Sequence, residues 1–481
     1  YAATDVTEEG QAHNFLKSGE QSSHFFVGRF GKEFAGGAHR VNFMQTAAFR
    51  SAERQTYDED DYPSRDAWAT AMDFDLNFHD RDYNVSGSFL GTVVDPAPIA
   101  SNPSIAHGRE YGTGGNLGVR KLGGTFRGGL SGSWETDELD PNDMGFLRAA
   151  DEVSASGWLS YQHNSTREDA LFNRGNIGIE FWRSWLYAVR EGLDRDTDEV
   201  IWSYGRGYPH GFGMNLNGSG QLSNFWHVWS GVGWEPQEST KYATRTYDGV
   251  RGPLMKYPAN VFGWLGFNTD YRKPLAANLD LNAGGNERGA WNRRVSVGLD
   301  WTATQTMTYS LNVSYRRSHS EAQHLENFAN PGGGIGGVSY VFAELEQQTV
   351  DATLRSDILF GRDLSLQLYA QPYLTVGGYG NARELATPNS YDLTPAVDIP
   401  DFDATDVADY DFVYSAMNIN VVLRWEYRPG STFYLVWKQG RDLYDDRFET
   451  PGLETTIDFD GLLDTEPENV LLAKLTYWFS I

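Results

Sequence analysis

The sequence predicts an all-β chain, a transmembrane antiparallel β-barrel of the bacterial outer membrane with about 18–22 strands. Three observations carry that expectation. Apolar and polar side chains alternate with a period of two, the alternating segments run to ten or more residues, and the connections between them alternate between short and long.

Alternation is cleanest over residues 307–316. Met307, Tyr309, Leu311, Val313 and Tyr315 fall on one face, and Thr308, Ser310, Asn312, Ser314 and Arg316 on the other. Just upstream, Val295, Val297, Leu299 and Trp301 oppose Arg294, Ser296, Gly298 and Asp300, and the TATQ turn at 302–305 joins the two segments as a hairpin. Met417, Ile419, Val421, Leu423, Trp425 and Tyr427 form a third apolar stripe against Asn418, Asn420, Val422, Arg424 and Glu426.

Nineteen such segments follow one another from 22–32 to 469–481, with no long amphipathic helix among them. Segments of ten or more residues exceed the usual ~5–6 of globular strands and meet the ~9–11 needed to cross a bilayer at a tilt. Short turns (79–82, 122–125, 302–305, 360–363, 428–431) alternate with long acidic stretches (51–66, 135–152, 382–410, 441–468). That pattern assigns the short turns to the periplasm and the long acidic loops to the cell exterior. The last residues alternate too, with Leu471, Ala473, Leu475, Tyr477, Phe479 and Ile481 on one side, so a strand is expected to reach the end of the chain.

The whole of 1–481 reads as one barrel domain whose first ~20 residues are linker or loop. Because bacterial single-chain barrels have even strand numbers, nineteen segments with a short first turn are expected to mean either a further strand, with a periplasmic domain, upstream of Tyr1, or a strand count that is off by one.

Composition excludes other classes. The 481 residues include 52 glycines, against about 34 at the usual ~7%. Aromatic residues make up 14%, yet mean hydropathy is −0.50, so apolar surface is concentrated in a few bulky side chains. A net charge of −26, from 39 Lys+Arg against 65 Asp+Glu, has the wrong sign for a nucleic-acid partner. No apolar run approaches the ~18 residues of a membrane-spanning helix. The absence of Cys removes disulfides and thiolate chemistry.

Several stretches resemble an uncharacterised family of bacterial outer-membrane barrels that commonly follows an N-terminal domain similar to family 9 carbohydrate-binding modules. They are FVGRFGKEFAGG (26–37), DPNDMGFLRAADE (140–152), LFNRGNIGIEFW (171–182), RWEYRPGSTFYLVWKQGRD (424–442) and LLAKLTYWFSI (471–481). The resemblance implies an outer-membrane location and a link to polysaccharide, and it implies no defined reaction.

Strand parity places Arg294, Asp300, Arg316, Arg424, Glu426 and Lys474 on the polar face. Such charges either line a solute path or knit a polar interior together. Trp301, Tyr309, Tyr315, Trp425, Tyr427, Tyr477 and Phe479, near strand ends, read as membrane-interface aromatics. Trp202, Tyr204, Tyr208 and Trp234, near loops, are candidates for stacking on sugars. Asp398, Asp401, Asp403, Asp458 and Asp460 lie in acidic loops that either hold Ca²⁺ through oxygen ligands or are solvated, self-repelling surface.

No catalysis is expected. The 10 His are scattered, neither HExxH nor GxSxG occurs, and Ser131 of GGLSGS sits within an alternating strand. The expected function is a channel or transporter for a solute derived from polysaccharide, and the alternative is a non-conducting anchor or scaffold of a surface complex. Expected partners are outer-membrane lipid and lipopolysaccharide, polysaccharide or oligosaccharide, and protein at the surface or in the lumen.

Overall fold

The computed structural model describes residues 22–51, 65–96, 109–167, 169–194, 197, 199–247, 250–445 and 459–479. The expected linker at the N-terminus, most of the 51–66 loop and Asp458 lie outside the described residues, as does the side chain of Asp460. No described helix is long and apolar enough to cross a membrane.

The chain divides into two compact units, one of residues 1–162, 178–191 and 203–213, the other of residues 163–177, 192–202 and 214–481. The first carries β1 (Ser22–Phe34), β2 (His39–Ser51), β3 (Arg65–Phe78), β4 (Tyr83–Pro96), β5 (Glu110–Lys121), β6 (Phe126–Glu135) and β7 (Glu152–Asn164). From β1 to β7 consecutive strands pair antiparallel with one another. The last two residues of β7 fall in the second unit, and β8 (Phe172–Trp185), β9 (Arg190–Leu193), β10 (Val200–Tyr204) and β11 (Pro209–Leu222) likewise contribute residues to both units.

The second unit continues with β12 (His227–Glu235), four pieces of two or three residues, β13 (Glu238–Thr240), β14 (Thr246–Tyr247), β15 (Val250–Arg251) and β16 (Met255–Tyr257), then β17 (Asn260–Asn268), β18 (Leu275–Asn286) and β19 (Trp291–Thr304). It ends with β20 (Met307–Ala329), β21 (Val338–Leu359), β22 (Leu364–Leu385), β23 (Leu393–Pro395), β24 (Phe412–Arg428), β25 (Ser431–Asp445), the short helix α1 (Phe459–Asp464) and β26 (Glu468–Leu475). Twenty of these strands belong to one antiparallel sheet. Nineteen of the twenty have eight or more residues and correspond to the nineteen alternating segments, except that the expected strand 199–217 breaks at 205–208 into β10, which pairs with β9 in a separate sheet, and β11. The twentieth is the three-residue β23 on the end of β22.

The two faces of this sheet are inverted relative to a water-soluble protein. In the first unit Leu117, Val119, Leu130 and Leu159 are more than half exposed, while Asn42 and Asn84 are buried. Asn42 donates to Asp73 at 2.7 Å, and Asn84 donates to Asp75 and Asn77. Ser131, singled out in the sequence, is a wall residue whose hydroxyl lies 2.7 Å from that of Ser156. In the second unit Val295, Val297, Leu299 and Trp301 are exposed, and Ser296 and Ser314 on the opposite face are buried. Leaving that many large apolar side chains in water would forfeit roughly 1.5–3 kcal/mol for each one. Only a medium as apolar as the face itself removes the cost.

Two expectations need correction. The final strand stops at Leu475 instead of running to the chain end, although Thr476 still exchanges backbone bonds with Thr432 and Trp478 N donates to Ser431 Oγ. In addition, β20 and β22 do not end near 317 and 378 but continue to Ala329 and Leu385. Register shifts at 320–323 and 324–326 break the alternation there, so period-two reading loses the strand. At 22–23 residues, β20, β21 and β22 reach ~75 Å, more than twice what a bilayer needs.

Their far ends enclose a core of ordinary polarity. Val341, Ala382, Ala396 and Ile399 are buried together, with Phe328 and Phe402 packed against them. Ser239 and Thr244 are tied to the same region, with Asn327 Nδ2 donating to Thr244 O at 3.0 Å and Ser239 Oγ donating to Asn389 at 2.6 Å. Burial and a hydrogen bond to Glu326 push the Tyr410 hydroxyl up to about 12.

At the opposite ends of the strands, the turn at 269–274 is closed by Asp270, which accepts two bonds from Arg272 at 2.8 Å while that guanidinium lies over the Phe225 ring. The hydrogen bonds from Arg272 hold the Asp270 carboxyl at about 2, against ~3.9 for an unfolded aspartate. The folded state therefore binds this proton less readily. The stabilisation is complete above pH ~4 and fades as pH falls towards 2. Urea unfolding at about pH 5 and about pH 2.5 will show a loss in the wild type that Asp270→Asn reduces.

Candidate functional site on the polar face

In the second unit, the polar face of β12 and β17 carries a ladder of rings. Trp229 lies opposite Gly266, Trp264 opposite Gly231 and Phe262 opposite Gly233. Each ring rests on the neighbouring strand because the facing residue has no side chain. A Cβ at Gly231 would come within 2.2 Å of the Trp264 ring, one at Gly233 within 2.2 Å of Phe262, and one at Gly266 within 2.3 Å of Trp229. Rungs are two residues apart, roughly 6.6 Å along a strand. Phe262 and Trp264 have centroids 6.1 Å apart with planes inclined by 20°, and His227 stands 5.6 Å from Trp229.

An open depression of about 790 Å³ over the same strands is bounded mainly by apolar-face residues, among them Val261, Leu265, Leu281, Arg293 and Val295, so it is not a chamber on the ladder's side. The register sets Trp264, Asn282, Arg294, Arg316 and Thr349 in one transverse row across β17 to β21. Arg294 Nε donates to Ser314 Oγ at 2.8 Å, and its Nη2 is 4.0 Å from Asp351. An apolar ring, an amide and two guanidiniums thus stand side by side. The combination suits a solute with a flat apolar surface and several hydroxyl or acidic oxygens.

Of the charges assigned to the polar face, Arg294 and Arg316 are brought directly opposite each other. Arg424 bonds Glu426 at 3.0 Å, and Glu426 also accepts from Gly430 N at 3.1 Å. Asp300 faces Ser310 and Ala276, while Lys474 faces Tyr434, so neither joins those pairs.

The interface aromatics gather in pairs. Trp301 meets Tyr309 at 5.5 Å, Trp425 meets Tyr427 at 6.0 Å and Tyr477 meets Phe479 at 6.3 Å. Tyr315 donates to Gln348 at 2.8 Å. The sugar-stacking candidates fare differently. Trp202 and Tyr204 are buried, Tyr208 packs on Tyr204 at 5.1 Å, and Trp234 lies on the apolar face.

Among the loop aspartates, Asp403 caps a 3-10 helix (Ala404–Tyr410) by accepting from Thr405 N at 2.8 Å. Asp398 and Asp401 adopt positive φ. No group of three or more His, Asp or Glu among the described residues is arranged to hold a metal ion.

The ring ladder escaped the sequence reading. Parity alone assigns Trp229, Phe262 and Trp264 to the polar face, where bulky rings look out of place. The missing signal was the spacing of Gly231, Gly233 and Gly266, which only cross-strand register aligns with the rings.

An antiparallel meander of long strands, apolar on its open face and hydrogen-bonded on the other, defines the class as an all-β sheet of the membrane-barrel type. Residues 59–480 match the profile of the Domain of unknown function (DUF5916). The chain belongs to that family. Comparison with curated proteins finds no match. Solved structures similar to it include the outer membrane transporter YddB from Escherichia coli, at 9% identity over 95% of this chain and 68% of that one, with a TM-score of 0.48. The siderophore receptor PirA from Acinetobacter baumannii is also similar, at 11% identity over 93% of this chain and 73% of that one, with a TM-score of 0.43.

Proposed function

We propose that the sheet is the wall of an outer-membrane β-barrel through which a polysaccharide-derived solute passes, with no catalytic step. The inversion of its two faces supports this reading most strongly. Exposed leucines and valines suit hydrocarbon, and the buried polar network suits a water-filled or ligand-filled interior. The ring ladder with Asn282, Arg294 and Arg316 is then the surface along which the solute slides, its rings offering stacking and its guanidiniums offering charge-assisted bonds. Acidic sugars fit that pairing better than neutral ones. The long loops, including the aspartates at 398–403, face the exterior in this reading, where Ca²⁺ would bridge them to lipopolysaccharide. The carbohydrate link implied by the family resemblance agrees with such a solute.

Single-channel conductance of the purified chain in a planar bilayer tests the reading. Steady current that acidic oligosaccharides block is expected, and Arg294→Gln/Arg316→Gln should shift selectivity towards cations. A correctly inserted but silent chain that oligosaccharides do not bind would overturn transport and favour a scaffold or anchor for a surface complex.

A further inference from the structure

Two arginine pairs meet across β19 and β20. Arg294 opposes Arg316 on the polar face, and one residue away Arg293 opposes Arg317 on the apolar face. Like charges directly opposite each other destabilise a sheet. The polar-face pair has Ser314 and Asp351 beside it. Arg293 has no carboxylate within 4.0 Å among the described residues, and Arg317 has only Glu346, at 3.9 Å. Glu346 itself lies 2.8 Å from His319 Nδ1. Both outward guanidiniums lie over one indole, with the carbon of Arg293 5.0 Å and that of Arg317 5.7 Å from the centre of Trp291. Their immediate neighbours on this face towards mid-strand are Val295 and Tyr315.

The position along the strand identifies what would neutralise them. Trp291 and Trp301 are ten residues apart on β19, with Val295, Val297 and Leu299 between them. Ten residues span ~33 Å, or ~25 Å once a strand tilt of ~40° is allowed for, which is the height of the apolar band of a membrane barrel. Trp301 and Tyr309 flank the short 304–307 turn, so Trp291 and the arginines stand at the other rim, the one from which β20 and β21 extend. Two forked donors held on an aromatic plate, at headgroup depth and short of counter-charge, match a phosphate, whose oxygens accept the two-pronged bond a guanidinium offers.

We propose that Arg293 and Arg317, plated on Trp291, clamp a phosphate of the phosphorylated glycolipid in the outer leaflet. The proposal rests on the membrane reading above. It assigns this rim to the exterior and the lipid-facing side of the wall to a specific headgroup, independently of what the interior carries.

The full chain, folded in detergent, is titrated with diphosphoryl lipid A, and bound lipid is counted by native mass spectrometry. Binding about tenfold weaker is expected for Arg293→Gln/Arg317→Gln, with Arg362→Gln, in the opposite-rim turn, behaving as wild type. If the double variant does not fold, the wild type is titrated with dephosphorylated lipid A instead, and the same weakening is expected. Equal binding of both lipids, or of lipid A by wild type and double variant, overturns the clamp. Displacement of the bound lipid by inorganic phosphate at the same concentration also overturns it as a lipid site. Failure of the chain to insert into vesicles removes the membrane reading itself, whereas an inserted chain indifferent to lipid phosphate removes the clamp alone.

Discussion

Val313→Arg will prevent stable insertion, and Asn312→Arg, one residue away, will not. Val313 lies between Val297 and Ala352 in the middle of the exposed apolar face. An arginine there must sit near the bilayer midplane, at a cost of about 2–4 kcal/mol. Asn312 points to the polar face, where a long cation finds water or acidic partners and changes stability by about 0.5 kcal/mol or less. In a water-soluble sheet the order would be reversed, because an exposed valine tolerates arginine freely. Urea titration of the folded chain in vesicles, followed by the mobility difference between heated and unheated samples, reads both variants. Equal stability of the two would remove the membrane assignment of the apolar face.

The second large effect is expected from Gly231→Val. Its side chain would start 2.2 Å from the Trp264 ring, so the ring must leave its bed. Overpacking of this kind costs about 1–3 kcal/mol, and the displaced ring breaks the row that Trp264 shares with Asn282 and Arg294. Oligosaccharide block of the current should weaken along with stability. Combining Gly231→Val with Trp264→Ala should return much of the lost stability, because the clash disappears with the ring, and a coupling of about 0.5–3 kcal/mol is expected from contacting residues. Strict additivity would show that the ring does not rest on that strand. The block, by contrast, should remain weak in the double variant, since the stacking surface is gone.

What could be read in advance follows from the period of a strand. Alternation tells which face a residue occupies, and this was enough to place Arg294, Arg316, Arg424 and Glu426 opposite Val295, Tyr315 and Trp425. It does not tell which residue on the next strand stands alongside, because that depends on turn length and bulges. Trp264 over Gly231 is such a fact, and so is Arg293 facing Arg317. Alternation also fails where both faces are covered. Residues 338–343 are buried without a break, so the extension of β21 reads as a plain apolar run and gives no hint of the core around Val341. Trp202 and Tyr204 failed as binding candidates for a related reason, since nearness to a loop says nothing about whether a ring is covered.

Order in the chain and order in the sheet nearly coincide, since the long strands pair with the long strands next to them in sequence. Such a chain can be laid down one hairpin at a time, each new strand docking on the edge left by the last, with no segment threaded through another. Most steps close only a short turn, so the entropy lost per step is small. The hazard lies in what each step leaves behind, namely a row of unpaired backbone groups beside an apolar face, which is the most adhesive surface a polypeptide can offer. A half-built wall of this kind needs an escort that covers the growing edge until the last strand arrives.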